Sequence, residues 1–166
     1  MSFLTSNIEG GVLLDWFTPS LEYPSPPFAV GTIAFGANGS VWHYVQASAA
    51  VTAGFACQIN PVNNTIQHVT TANSLRGYAI GVPAVSIPSG SFGWVQRAGQ
   101  ALIGVQMLAS AAINARLNTT ATAGAIDDDA TVGAKEIVGL TATTANGGSA
   151  ALTPAVLSWP LINATL

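Results

Sequence analysis

The sequence predicts an all-β fold: a single β-barrel or jelly-roll-like sandwich of about ten short strands, preceded by an extended proline-rich N-terminal arm. Three observations predict it. Runs rich in β-branched and aromatic residues recur every 8–14 residues or so, separated by Gly, Asn and Pro turns. The only stretch of good helix formers, Gln106 to Leu117, is short and poorly periodic and so reads as mostly extended. Finally, Pro19, Pro24, Pro26 and Pro27 fix φ and remove backbone donors near the start of the chain, which excludes helix and central strand there.

The elements follow in order. Residues 1–28 form the arm, in which Leu13, Leu14, Trp16 and Phe17 precede Thr18-Pro-Ser-Leu-Glu-Tyr-Pro-Ser-Pro-Pro27. Such a segment runs close to polyproline II, and its aromatic residues need a surface to lie on, either its own domain or a neighbouring subunit. Residues 29–166 form the β-domain. Val30 to Phe35 is a strand that ends in Gly36-Ala-Asn-Gly-Ser40, an Asn-Gly turn that requires φ > 0. Val41 to Gln46 follows, with Val41, His43 and Val45 on one face and Trp42, Tyr44 and Gln46 on the other. Further strands are expected at Phe55 to Ile59, Thr65 to Thr70, Tyr78 to Val82 and Val85 to Ile87, the last two separated by Pro83. Trp94 to Gln96, Ala101 to Val105, Thr119 to Ala125 and Ile137 to Thr144 come next. Val156 to Trp159 closes the domain before Pro160.

Charge is the unusual feature. The chain has four basic and seven acidic side chains, 7% of its residues, against about 25% in an ordinary soluble domain. None lies between Glu22 and Arg76, and none follows Glu136. A surface built from Ala, Thr, Ser, Asn and Gln points to coverage by partners, since exposed domains keep apart by carrying charge of both signs. Four scattered cations cannot make a phosphate-binding patch, so nucleic acid is not an expected partner. Every apolar stretch is interrupted by Pro, Gly, Asn or hydroxyl residues before about 18 positions, so no helical membrane span is expected. The first ten residues lack a basic region and a continuous apolar run. The expectation is therefore synthesis and assembly in a reducing cytoplasm. The single cysteine, Cys57, sits in an apolar run and reads as a small buried hydrophobe.

Chemistry needs polarised groups in a defined place, and few are present. His43 and His68 fall on separate strands with no carboxylate or second His at ligand spacing, so each reads as a packed or surface histidine. Asp127-Asp-Asp129 lacks the alternating acids and distant Glu of a calcium loop and reads as an exposed turn. No nucleophile elbow, phosphate loop or Ser-His-Asp set can be assembled. No catalytic residue, metal or cofactor is therefore expected. Among the tryptophans, Trp94 and Trp159 are embedded in strands and are expected in the core. Trp16, on the arm, is the best interface anchor, and Trp42 with Tyr44 is the platform a sugar would need.

These residues carry a resemblance. Gly31 through Val45, Ala53-Gly-Phe55, Gly77-Tyr-Ala-Ile-Gly-Val82, Gly90-Ser-Phe-Gly-Trp-Val-Gln96 with Ala98-Gly99, Leu117 through Asp128, and Trp159-Pro160 resemble tailed-bacteriophage capsid decoration, or cement, proteins. The resemblance spans residues 29–160 and leaves the arm outside it. It implies a small β-barrel on the outside of an icosahedral head, bound where major capsid protein subunits meet and made in the bacterial host cytoplasm. It also implies a homo-oligomer, a trimer in preference to a dimer, and no catalysis. Leu13, Leu14, Trp16, Phe17, Tyr23 and Phe28 are the candidate contacts to the capsid or a neighbouring subunit, chosen from composition. The competing expectation is a receptor- or glycan-binding module of a phage fibre or spike.

Overall fold

The computed structural model describes residues 8–9, 12–129 and 131–166, with side chains from Leu14 onward. The described chain is built from strands and turns, with one short 3-10 turn over Ala37–Gly39. Strands β1 (Ile8–Glu9) and β2 (Val12–Leu13) pair with each other. The remaining twelve strands join in one sheet.

Part of that sheet closes on itself. β4 (Val41–Ala47) pairs antiparallel with β8 (Phe92–Gln100), β8 with β7 (Ala79–Pro83), β7 with β5 (Cys57–Ile59), and β5 with β6 (Thr65–His68). β6 returns to β4 in parallel, completing a five-stranded ring. β3 (Ile33–Phe35) lies along β4 at the edge. The other half continues from β8 through β14 (Ala155–Thr165) and β12 (Lys135–Ala142) to β10 (Leu117–Thr119) and β11 (Ile126–Asp127). It ends in β9 (Val105–Met107) and β13 (Ala151–Thr153). The all-β expectation holds, with more strands than expected because several are only two or three residues long.

Three apolar cores hold this arrangement. Inside the ring, Val45, Ala47, Val51, Cys57, Ile59, Ile66, Ile87 and Val95 pack together. So small a ring has no room for a full set of side chains. A Cβ on Gly81 would lie 2.5 Å from Val95 Cγ2, and one on Gly93 would lie 2.7 Å from Ile87 Cδ1. Cys57 is fully buried here, and burial pushes its thiol well above the usual range, as expected of a packing residue. The second core belongs to the other half and includes Ile80, Val82, Met107, Leu117, Ile126, Ile137, Leu140, Leu157 and Ile162. Strand β7 serves both, because period two turns Ala79 to the ring and Ile80 and Val82 to the second core. The third core lies on the outer face of β4 and β8, where Trp42, Tyr44 and Trp94 pack under Leu14.

Several boundaries differ from expectation. The strand expected at Ala101 to Val105 lies at Val105–Met107 instead, because buried Gln96 organises a turn in front of it. Gln96 Nε2 donates to the Ala98 and Gln100 carbonyls, and its Oε1 accepts from the Leu102 N–H. The strand expected at Thr119 to Ala125 stops at Thr119, where the Thr120 hydroxyl donates to the Thr122 and Ala125 carbonyls and folds a turn. Val85 to Ile87 reduces to a single bridge between Val51 and Ile87.

The largest correction concerns the last strand. β14 does not end before Pro160; it runs on to Thr165. Val138 pairs with Leu161 while Leu140 pairs with Leu157, so Gly139 of β12 stands opposite three residues of β14, Ser158, Trp159 and Pro160. This bulge places Pro160 where its missing N–H breaks no ladder bond, and it puts Trp159 at φ 53. Opposite it, Gly139 has φ 79 and no room for a side chain, since a Cβ there would lie 2.6 Å from the Ser158 carbonyl oxygen. The bulge also reverses the alternation: Ala155 and Leu157 are buried before it, Pro160 and Ile162 after it.

Candidate functional site

The arm lies on its own domain. Leu14 is buried against Trp42, Tyr44 and Trp94. Phe17 exchanges two backbone hydrogen bonds of 2.7 Å with Phe92, at the start of β8. The Thr18 and Ser91 hydroxyls share a further bond of 2.6 Å. After the prolines, Phe28 returns and meets Tyr44 and Trp94 edge-on, with ring centroids 5.3 and 5.2 Å away. Residues 14–28 are thus a strap over the third core. Burying Leu14 in this way contributes about 1.5–3 kcal/mol. The cover is dry enough that burial pushes the Tyr44 phenol up to about 12, and its hydroxyl has no partner among the described residues.

The candidate contact residues therefore divide. Leu14 faces inward, and Phe17 is half-buried with its backbone engaged. Phe28 is 44% exposed and bound to the domain on one edge. Trp16 and Tyr23 offer their rings to solvent, at 45% and 55% exposure, and Leu21 beside them is fully exposed. Leu13 lies in β2, and its side chain is outside the described residues. Trp42 and Tyr44 cannot serve as a sugar platform, because both are core residues beneath the strap.

Trp94 is buried as expected, but Trp159 is not: it is 48% exposed. The bulge turns its indole outward at a backbone cost of about 1–2 kcal/mol for a non-glycine residue in the left-handed region. The Arg97 guanidinium sits 5.2 Å from the ring centroid in a cation–π contact. Val156 and Leu161, on the same outward face of β14, are also partly exposed. Sequence reasoning missed this surface because Leu157 and Trp159 share parity, which predicts a shared face. Only the Trp159-Pro160 pair signalled that the register breaks.

Both histidines and two carboxylates of the acidic turn make local hydrogen bonds. His43 Nε2 and Asn64 Oδ1 are 3.0 Å apart, and His68 Nε2 accepts from the Thr52 N–H at 3.0 Å. Burial lowers the pKa of both imidazoles, with the Arg97 charge adding to the effect at His43 and the Asn64 bond opposing it. In the acidic turn, Asp127 Oδ1 accepts from the Asp128 N–H and Asp128 Oδ2 from the Ala112 N–H. Among the described residues, no three His, Cys, Asp or Glu side chains are grouped to hold a metal ion, and no helix is long and apolar enough to cross a membrane. Comparison with known proteins finds no matching family model and no matching curated protein.

Proposed function

We propose that this chain is a structural protein of a bacteriophage virion, added to the outside of the head where major capsid protein subunits meet, which stabilises the shell and acts as a homo-oligomer, a trimer in preference to a dimer. The observation that carries the reading is a charge-poor surface that keeps large apolar side chains in water. Leu21, Phe35, Val62 and Val132 are 75% exposed or more, and Trp16, Tyr23 and Trp159 about half. Uncharged, apolar surface costs little to desolvate, so many modest contacts repeated by symmetry add up to tight attachment. Shell contact falls to the outward side of the strap, Trp16, Leu21 and Tyr23, while Leu14 and Phe28 hold the strap to its domain. The glycan-binding alternative has lost its platform of Trp42 and Tyr44.

The test mixes the purified chain with assembled phage head shells and measures co-sedimentation and the temperature at which the shells disrupt. Saturable binding at a fixed ratio to capsid subunits, with a raised disruption temperature, is expected. Replacing Trp16 and Tyr23 with Ala together should weaken binding about tenfold or more without altering the fold, as removal of aromatic anchors does. A chain that binds no shell and leaves disruption unchanged overturns the reading. Deleting residues 1–28 is the poorer experiment, since it would uncover Trp42, Tyr44 and Trp94.

A further inference from the structure

Two surface patches of this chain complement each other and are not paired within one copy. The first is the outward face around the β14 bulge, where Arg97 lies against Trp159 beside Val156 and Leu161. Among the described residues Arg97 has no carboxylate partner, and its Nε–H has no acceptor; the ion pair present joins Arg116 and Glu136. The second patch is the acidic turn Asp127–Asp129. Asp129 is exposed and has no hydrogen-bond partner among the described residues, and exposed Ile113 and Val132 flank the turn. Among the described residues, one patch is apolar with a cation that has no carboxylate partner, the other apolar with carboxylates that have no cation.

Within one chain, β11 is separated from β8 by β10, β12 and β14. Along the sheet that is a path of four strand spacings, roughly 19 Å, and among the described residues no ion pair joins Arg97 to the turn. A second copy brings the missing partner. The geometry points to a contact between two copies of this chain, in which the Arg97–Trp159 face of one docks on the Asp127–Asp129 turn of the next. The two surfaces differ, so the contact is heterologous and repeats by rotation until a ring closes. A tryptophan and an arginine at the centre of a charge-poor surface are the residue types that dominate interface energies. The burial of Asp127, with its like-charged neighbours adding to the effect, already raises its pKa, so a docking cation also relieves repulsion inside the turn. This inference rests on the self-association part of the proposed function and is independent of shell binding.

The experiment is a sedimentation concentration series on the full chain, on Arg97→Glu, on Asp129→Arg and on the double variant. The wild-type chain should associate, and each single reversal should raise the dissociation constant about tenfold or more, because it sets like charges against each other. The double variant, its charges exchanged, should recover to within about threefold of wild type. If Arg97→Glu does not fold, Arg97→Gln and the exposed Asp129→Arg decide the question. A wild-type oligomer untouched by either reversal overturns this contact and leaves self-association standing. A chain that stays monomeric at every concentration overturns both. Variants that remain oligomeric but no longer bind shells assign the Arg97–Trp159 face to the capsid and also overturn the contact.

Discussion

Trp42 and Trp159 lie in long strands of one sheet, and their surroundings could hardly differ more. Trp42 is fully buried, with Leu14 among the residues packed on it; Trp159 is 48% exposed and carries a single arginine on its face. Strand membership does not separate them. What separates them is a length of chain with matching side chains: the strap lays Leu14 and Phe28 over the face that holds Trp42, Tyr44 and Trp94. Around Trp159 the backbone does the opposite and adopts a left-handed residue that turns the indole out. One aromatic face is part of the core, and the other stays half in solvent.

The strongest way to break this comparison is to truncate both tryptophans. Trp42→Ala empties a closed core and should lower unfolding free energy by about 3–5 kcal/mol, read as a shift in the urea midpoint. Trp159→Asn, which suits φ > 0, should stay within about 0.5 kcal/mol of wild type, because relief of backbone strain offsets the lost cation–π contact. Equal losses at the two positions would abolish the distinction. Leu14→Ala tests the cover itself and should cost about 2–4 kcal/mol, with Trp42 and Trp94 fluorescence shifting to the red as water enters. An unchanged midpoint would mean the strap adds nothing to the fold. A smaller effect is expected at the bulge. Gly139→Ala forces a side chain into left-handed backbone 2.6 Å from the Ser158 carbonyl oxygen, and should destabilise by about 1–3 kcal/mol.

The same contrast explains how far the sequence could be read. The alternation of Val41 to Gln46 correctly assigned Trp42 and Tyr44 to the face opposite Val45, because a period of two needs only local information. The Asn38-Gly39 turn was legible for a similar reason: both residues take positive φ, as the dipeptide prefers. Which faces are covered was not legible, since covering depends on contacts between segments distant in sequence, such as Leu14 and Trp94. Pro160 read as a terminator because proline normally breaks a ladder. Its partner in the bulge, Gly139, lies twenty-one residues earlier, and neither residue alone announces the other. The strand expected at Trp94 to Gln96 in fact runs from Phe92 through Arg97 to Gln100.

The weakest expected effect lies in the pH dependence of the barrel half, which holds both histidines. Burial depresses the imidazole pKa of His43 on β4 and His68 on β6 below the ordinary 6.5. On acidification the unfolded chain therefore takes up protons first, starting near 6.5, while the folded chain resists until its lower values are reached. Between those limits the unfolded state binds more protons, so stability is complete above the unfolded value and declines as pH falls through this window. The raised pKa of Asp127 acts in the opposite sense, its penalty growing as pH rises from the carboxylate range and no longer changing once the carboxyl is ionised in both states. Urea midpoints at pH 7 and pH 5.5 should show the wild type losing stability. His43→Gln, which keeps an amide toward Asn64, should lose less over the same interval. Parallel declines in the two proteins would assign the effect to His68 alone, and a wild-type midpoint that rises on acidification would show that the imidazoles of this half are not held neutral by burial.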